Sequence, residues 1–368
     1  MTSHHCMRLT CIRVICIRVV CALLVCTFSF GQTPSATTPD MPKRSDIVVP
    51  VNVVIAPTTV LDKSGNYING LSVDDFKLFD NGKPQRITQD VGYLPLSLVV
   101  AVEASSMLGD ILPKIQTIGV MVSNLVVGQN GEAAVLAFDH RIRTMQDFTD
   151  DPGKIQAAMK SINPGSSSSR MIDTVMQAVR MLKARPNNRR RVILMVSEKR
   201  DRASENHARD ALIDAQFANV SIYSIDISHL MAQFTGKAEP PRPNPIPATA
   251  THVPGGGVQT PTSVDIQQNS GNVIPLFVEI FKATKSLFVD DPLDVFTRFT
   301  GGKEYSFISQ KSLEKAVTAV GEEIHSQYLL SYNPNNLSEG GFHEIRVEVN
   351  RPRLEVRTRP GYWIAAQF

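Results

Sequence analysis

Between Leu96 and Ile227, short apolar runs alternate with longer stretches in which apolar residues recur at helical spacing. The runs Leu98–Val102, Ala133–Phe138, Val192–Val196 and Ser221–Ile225 are bounded by polar residues and predict buried strands. The intervening stretches predict helices over Ile111–Leu125, Pro152–Ile162, Met171–Lys183 and Asn206–Phe217. Strand and helix in alternation imply an α/β fold: a doubly wound, mostly parallel sheet with helices on both faces.

The flanks follow another rhythm. From Ile47 to Ile55 the chain is rich in β-branched residues, and Phe76-Lys77-Leu78-Phe79 leads into Asp80-Asn81-Gly82-Lys83, a hairpin signature. At the far end, strands are expected at Tyr328–Tyr332, His343–Val349 and Leu354–Arg359, with turns at Pro334-Asn335-Asn336 and Arg351-Pro352-Arg353. Short strands cannot bury themselves alone, so the two ends are expected to pack together as an auxiliary β module, with Tyr362 and Trp363 anchoring the last segment. Helices are expected over Val278–Phe288, Pro292–Phe299 and Ser312–Gln327. Residues 231–272 carry seven prolines from Pro240 to Pro261 together with Gly255-Gly256-Gly257, and predict a disordered insertion.

The front end is set apart by composition. Residues 1–31 hold all five cysteines, Arg8, Arg13 and Arg18, and an apolar run of 12 residues from Val19 to Phe30. This is the pattern of a secretory signal, with Ser29 and Gly31 placing small residues at a cut site. The run is short of the ~20 residues of a bilayer span, so cleavage is favoured over retention as an N-terminal anchor. A five-residue cysteine spacing advances about 500° on a helix, so the thiols share no face and imply neither a metal site nor a disulfide framework. The expected division is 1–31 signal, 32–46 disordered leader, 47–95 N-terminal β segment, 96–230 α/β domain, 231–272 insertion, 273–327 helical segment completing that domain and 328–368 C-terminal β segment. Removal of the signal lowers Lys plus Arg from 38 to 35 against 35 acidic residues. A neutral mature chain argues against nucleic acid or an anionic membrane surface as the main partner, and the signal pattern points outside the cytoplasm, to a secreted or cell-envelope location.

Candidate chemistry lies where the first central strand ends, at Glu103-Ala104-Ser105-Ser106-Met107, because open α/β sheets bind at the carboxyl ends of their strands. Leu98–Met107, the serine-rich Gly165–Ser169 and Val192–Glu198 together resemble a von Willebrand factor type A (VWA) domain. The resemblance widens through Pro50-Val51-Asn52-Val53-Val54, Gly70-Leu71-Ser72-Val73-Asp74-Asp75-Phe76, Asp80–Gln85, Tyr328–Tyr332 and Pro360-Gly361-Tyr362-Trp363 to the VWFA-related family of Acidobacteria, whose own function is poorly defined.

The VWA resemblance implies a metal-ion-dependent adhesion site, Asp-x-Ser-x-Ser with a Thr and an Asp from two further loops. A hard cation there leaves one coordination position for a partner's carboxylate. In this chain Glu103 stands in place of the first Asp, Ser105 matches the first Ser, Met107 replaces the second, Ser169 stands for the Thr and Glu198 for the last Asp. Mg²⁺ wants near-octahedral oxygens at about 2.1 Å, and neither a longer carboxylate nor a thioether is equivalent. The set Glu103, Ser105, Ser169 and Glu198 is therefore read as a degenerate site. Mg or Ca remains the cofactor of the alternative reading; no cofactor is the favoured one. In a degenerate site the carboxylates are expected to be solvated or paired with Lys199, Arg200 or Arg170.

The expected function is protein recognition at this edge without catalysis. A serine hydrolase built from Ser105, His140 and Asp139 is an outlying alternative, because no Gly-x-Ser-x-Gly elbow surrounds the serine. Arg189-Arg190-Arg191 reads as a solvated turn before a strand.

Overall fold

The computed structural model describes residues 53–90, 94–128, 130–228, 291–306 and 309–364. The signal segment, the leader, the 231–272 insertion and the expected helix Val278–Phe288 lie outside the described residues.

The central sheet has six strands: β5 (Leu96–Glu103), β6 (Glu132–Phe138), β7 (Ile142–Thr149), β8 (Arg190–Ser197), β9 (Val220–Asp226) and β10 (Glu304–Ser306), in the order β10-β9-β8-β5-β6-β7. Every neighbouring pair is parallel except β6 with β7. All eight residues of β5 are buried because both faces are covered, which is why the sequence reads as an unbroken apolar run. Alternate side chains go to different cores. Leu98, Val100 and Val102 meet α1 (Leu112–Gln116), α3 (Pro152–Lys160) and α7 (Gln310–Ser326) on one face. Val99 and Ala101 meet α4 (Met171–Lys183), α5 (Ala208–Phe217) and α6 (Pro292–Thr300) on the other. The doubly wound α/β architecture is thereby established.

Local chemistry sets several boundaries. The α3 helix begins where the Asp151 carboxylate accepts from the backbone N–H groups of Gly153 (2.8 Å) and Lys154 (3.4 Å), a cap worth about 1 kcal/mol. The helix expected over Ile111–Leu125 is broken into α1, α2 (Gly119–Met121) and a π-helical turn at Val122–Val127. Thr117 Oγ1 donates to the Lys114 carbonyl (2.7 Å), and Gly119 sits so close to α3 that a Cβ there would lie 3.1 Å from Met159. Side-chain competition for the helix carbonyls and a close backbone approach that favours glycine together interrupt the periodicity.

Residues from both ends form two further antiparallel sheets. One has the order β13-β1-β11-β4, from β1 (Val54–Leu61), β4 (Ile87–Asp90), β11 (Tyr328–Tyr332) and β13 (Glu355–Thr358). The other has the order β14-β12-β2-β3, from β2 (Phe76–Asp80), β3 (Lys83–Gln85), β12 (Gly341–Val349) and β14 (Gly361–Ile364). Their shared core includes Val54, Leu78, Leu330, Tyr332, Ile345 and Tyr362. The β2–β3 hairpin turns on Asn81 (φ 49°) and Gly82 (φ 75°) with Asp80 opposite Lys83, as the Asn-Gly pair requires.

The arginine run is not a solvated turn. Arg190 opens β8 at 6% exposure and donates to the carbonyl of Ile324 and to Gln327 Oε1 (2.6 Å). Arg189 donates to Ser97 Oγ (2.7 Å) and the Leu96 carbonyl (2.8 Å) and pairs with Glu132 (3.1 Å). The five donors of a guanidinium suit it to gather carbonyls where strands begin, and that draws the run inward.

Candidate functional site

Three loops meet at the carboxyl edge of the central sheet. The first follows β5: Ala104 N–H donates to the Phe138 carbonyl (2.8 Å), and the Ala104 carbonyl accepts from Gly165 N–H (2.7 Å). Ser106 N–H donates to the Ser166 carbonyl (2.8 Å), which joins the second loop to the first. The third, after β8, is tied to the second by Arg202 and Ala203 N–H, both donating to the Ser169 carbonyl at 3.0 Å. Asp139 holds the second loop by accepting from Ser166 N–H (3.1 Å) and Arg141 N–H (2.7 Å). Residue 165 must be glycine for this: a Cβ would fall 1.4 Å from Asp139 Oδ2.

Glu103, Ser105, Ser169 and Glu198 all lie at this edge and all are buried. Glu103, 1% exposed, accepts from the Glu198 backbone N–H through Oε2 (2.9 Å); its Oε1 and the Ser105 hydroxyl oxygen are buried without a hydrogen-bond partner among the described residues. Burial, and then the charge of Glu198, push the Glu103 pKa up to about 7; the Glu198 N–H, the adjacent Ser105 hydroxyl and the charge of Arg202 hold it from rising further. The carboxyl is thus poised between its neutral and charged forms at physiological pH.

Glu198 is paired, with a partner other than those expected. Its Oε2 lies 2.6 Å from Arg202 Nη2, while Arg170 engages Asp173 (2.7 Å) and Glu205 (2.9 Å). Lys199 turns toward the neighbouring strand ends, to Glu304 (2.7 Å), Asp291 (3.5 Å) and Asp226 (3.6 Å). Burial alone would lower the Lys199 pKa, but the hydrogen bond it donates to Glu304 and the charges of all three carboxylates raise it. The sequence offered one cue to Arg202, its four-residue spacing from Glu198.

A hard divalent cation fits this donor set poorly. Glu198 is committed to a guanidinium, the Ser169 hydroxyl donates to the Arg200 carbonyl (3.4 Å), and Met107, 40% exposed, brings a thioether where an oxygen would be needed. The oxygens left over are Glu103 Oε1, Ser105 Oγ and the second oxygen of Glu198. Among the described residues no group of three or more His, Cys, Asp or Glu is arranged to hold a metal ion. The outlying triad does not assemble either: His140 Nδ1 faces Asp139 Oδ1 (3.2 Å), with no hydrogen bond to Ser105.

The comparisons bear on the same region. Residues 104–200 match the von Willebrand factor type A domain family, a span that begins one residue after Glu103 and contains Ser105, Ser169 and Glu198. No curated protein matches the chain. Among solved structures, the chain is similar to an aerotolerance-related membrane protein from Bacteroides fragilis (16% identity, 62% of this chain and 98% of that one, TM-score 0.38). It is also similar to the conserved hypothetical protein BatB from Bacteroides thetaiotaomicron (17% identity, 62% and 98%, TM-score 0.36) and to the vWF domain of the type V pili tip protein Mfa5 from Porphyromonas gingivalis (15% identity, 29% and 39%, TM-score 0.27). The mixed α/β sheet has the VWA-type fold, and residues 104–200 within it match the von Willebrand factor type A family.

Proposed function

We propose that this chain is a secreted or cell-envelope protein-interaction module of the VWA type, related to the VWFA-related family of Acidobacteria. Its binding edge is a degenerate adhesion site that works with little or no dependence on divalent metal, and it is not an enzyme. The observation that carries this reading is the Glu198–Arg202 pair: a side chain of the protein supplies the positive charge that a cation would bring to a VWA edge. The raised pKa of Glu103 supports it further, because a partly charged carboxyl beside Glu198 calls less for a cation than two fully charged carboxylates would. The arginine-rich signal pattern at the front of the chain supports export.

Calorimetric titration of the chain from Gln32 onward with Mg²⁺, Ca²⁺ and Mn²⁺ tests the reading. The expected result is no saturable heat at millimolar metal. Saturable binding abolished by both Glu103→Ala and Glu198→Ala would overturn it and favour metal-assisted capture of a partner carboxylate, the reading for which the two unpartnered oxygens of Glu103 and Ser105 speak.

A further inference from the structure

The opposite edge of the central sheet, where β8 and β9 begin, holds a cleft of about 540 Å³ between the α/β domain and the terminal sheets. Strand β8 spans eight residues, so this cleft lies about 23 Å from the Glu103 edge. Arg359 lines it at 3% exposure. Its Nε is buried without a hydrogen-bond partner, and among the described residues neither a hydrogen bond nor an ion pair reaches its terminal nitrogens; the guanidinium rests 5.5 Å from the ring centre of Tyr362. The carboxylate that acts on it, Asp80, has both oxygens engaged by His343, Asn336, Tyr332 and Tyr362.

Arg191 lines the same cleft, and its hydrogen bonds go to neutral oxygens: the carbonyls of Ala218 (3.2 Å) and Arg185 (3.0 Å) and Asn187 Oδ1 (2.9 Å). Its Nε is also buried and unpartnered, and burial draws the pKa of both guanidiniums down. Arg359 meets only a carboxylate whose oxygens are already engaged and half-buried Arg191 meets none, a costly arrangement in a folded protein unless an anion joins them. The wall is mixed: Phe217, 57% exposed at the end of α5, with Ile364 and Trp363 of β14 supply apolar surface beside polar Asn187, Gln216 and Asn219.

We propose that this cleft binds a small organic carboxylate, its oxygens on Arg359 and Arg191 and its apolar body against Phe217, Ile364 and Trp363. The volume suits a small molecule, and a planar guanidinium fork matches a carboxylate. This site is independent of the Glu103 edge, and its occupant bridges the α/β domain and the terminal sheets.

The chain contains one tryptophan, Trp363, so its fluorescence reports on the cleft directly. The full chain is titrated with benzoate at constant ionic strength, with inorganic phosphate as the oxyanion lacking an apolar body. A saturable change with benzoate is expected, weakened roughly tenfold or more in Arg359→Met and in Arg191→Met, with phosphate binding more weakly than benzoate. Arg191 is half-buried at the mouth, so its variant carries the test if Arg359→Met does not fold. No saturable response to benzoate, a response unchanged in the folded arginine variants, or phosphate binding as tightly as benzoate would each overturn the proposal.

Discussion

Two buried carboxylates, Asp80 in the terminal sheets and Glu103 at the sheet edge, meet opposite fates. Asp80 shares hydrogen bonds with His343 Nδ1 (2.7 Å) and Asn336 Nδ2 (2.9 Å) through one oxygen, and accepts from Tyr332 and Tyr362 hydroxyls (both 2.8 Å) through the other. Burial alone would raise its pKa, yet those donors bring it below the ordinary value. Glu103 has a single backbone donor, one oxygen without a partner and a second carboxylate nearby, and its pKa rises. Donors, not depth, decide whether a buried acid stays charged. The first arrangement welds β2, β11, β12 and β14 together; the second leaves an unsettled acid at the carboxyl edge of the central sheet, where binding is proposed.

The largest effect is expected from Asp80→Ala, which strands one imidazole, one amide and two phenols in the core. A loss of about 3–5 kcal/mol in urea-unfolding stability should follow, against almost none if the network is incidental. Glu103→Gln should act in the other direction. The wild-type acid binds more protons folded than unfolded between pH 4.5 and about 7, so it costs stability as pH rises through that window, by about 3 kcal/mol in all. The variant should therefore match wild type near pH 4 and exceed it at pH 8, as measured by denaturation across pH. Asp80 carries the reverse sign: its contribution is complete above its unfolded pKa of 3.8 and is lost as pH falls below it. The smallest effect belongs to Arg202→Met. Its pair with Glu198 is open to solvent on the arginine side and is worth about 1 kcal/mol or less, but its removal should move the Glu103 titration upward, as followed by carboxyl-carbon NMR.

Much of the scaffold was legible in the chain because its elements obey local rules. The strand ending at Glu103 is buried on both faces and reads as continuous apolar sequence; α4 begins and ends where its periodicity does; and the Asn81-Gly82 hairpin is set by backbone conformation. The missed elements lack such signals. Strand β7 is a half-buried edge whose sequence, Ile142–Thr149, does not alternate, and β10 has three residues. At the site, the Glu103 turn could be placed from the strand's end and the other candidate positions from the VWA resemblance, but their pairing could not. Arg202 reaches Glu198 only because the third loop folds back onto Ser169, and Arg190 turns inward only because Ile324 and Gln327 arrive from more than a hundred residues away.

The interleaving of the terminal sheets also sets how the molecule would carry tension. Strand β1, near the start of the described chain, lies between β11 and β13, and β14, at its end, pairs with β12. A pull on both ends enters through these antiparallel strands before it reaches the parallel ones that carry Glu103 and Glu198. The terminal sheets take the load first, so the Glu103 edge can keep its geometry while the two ends are under strain.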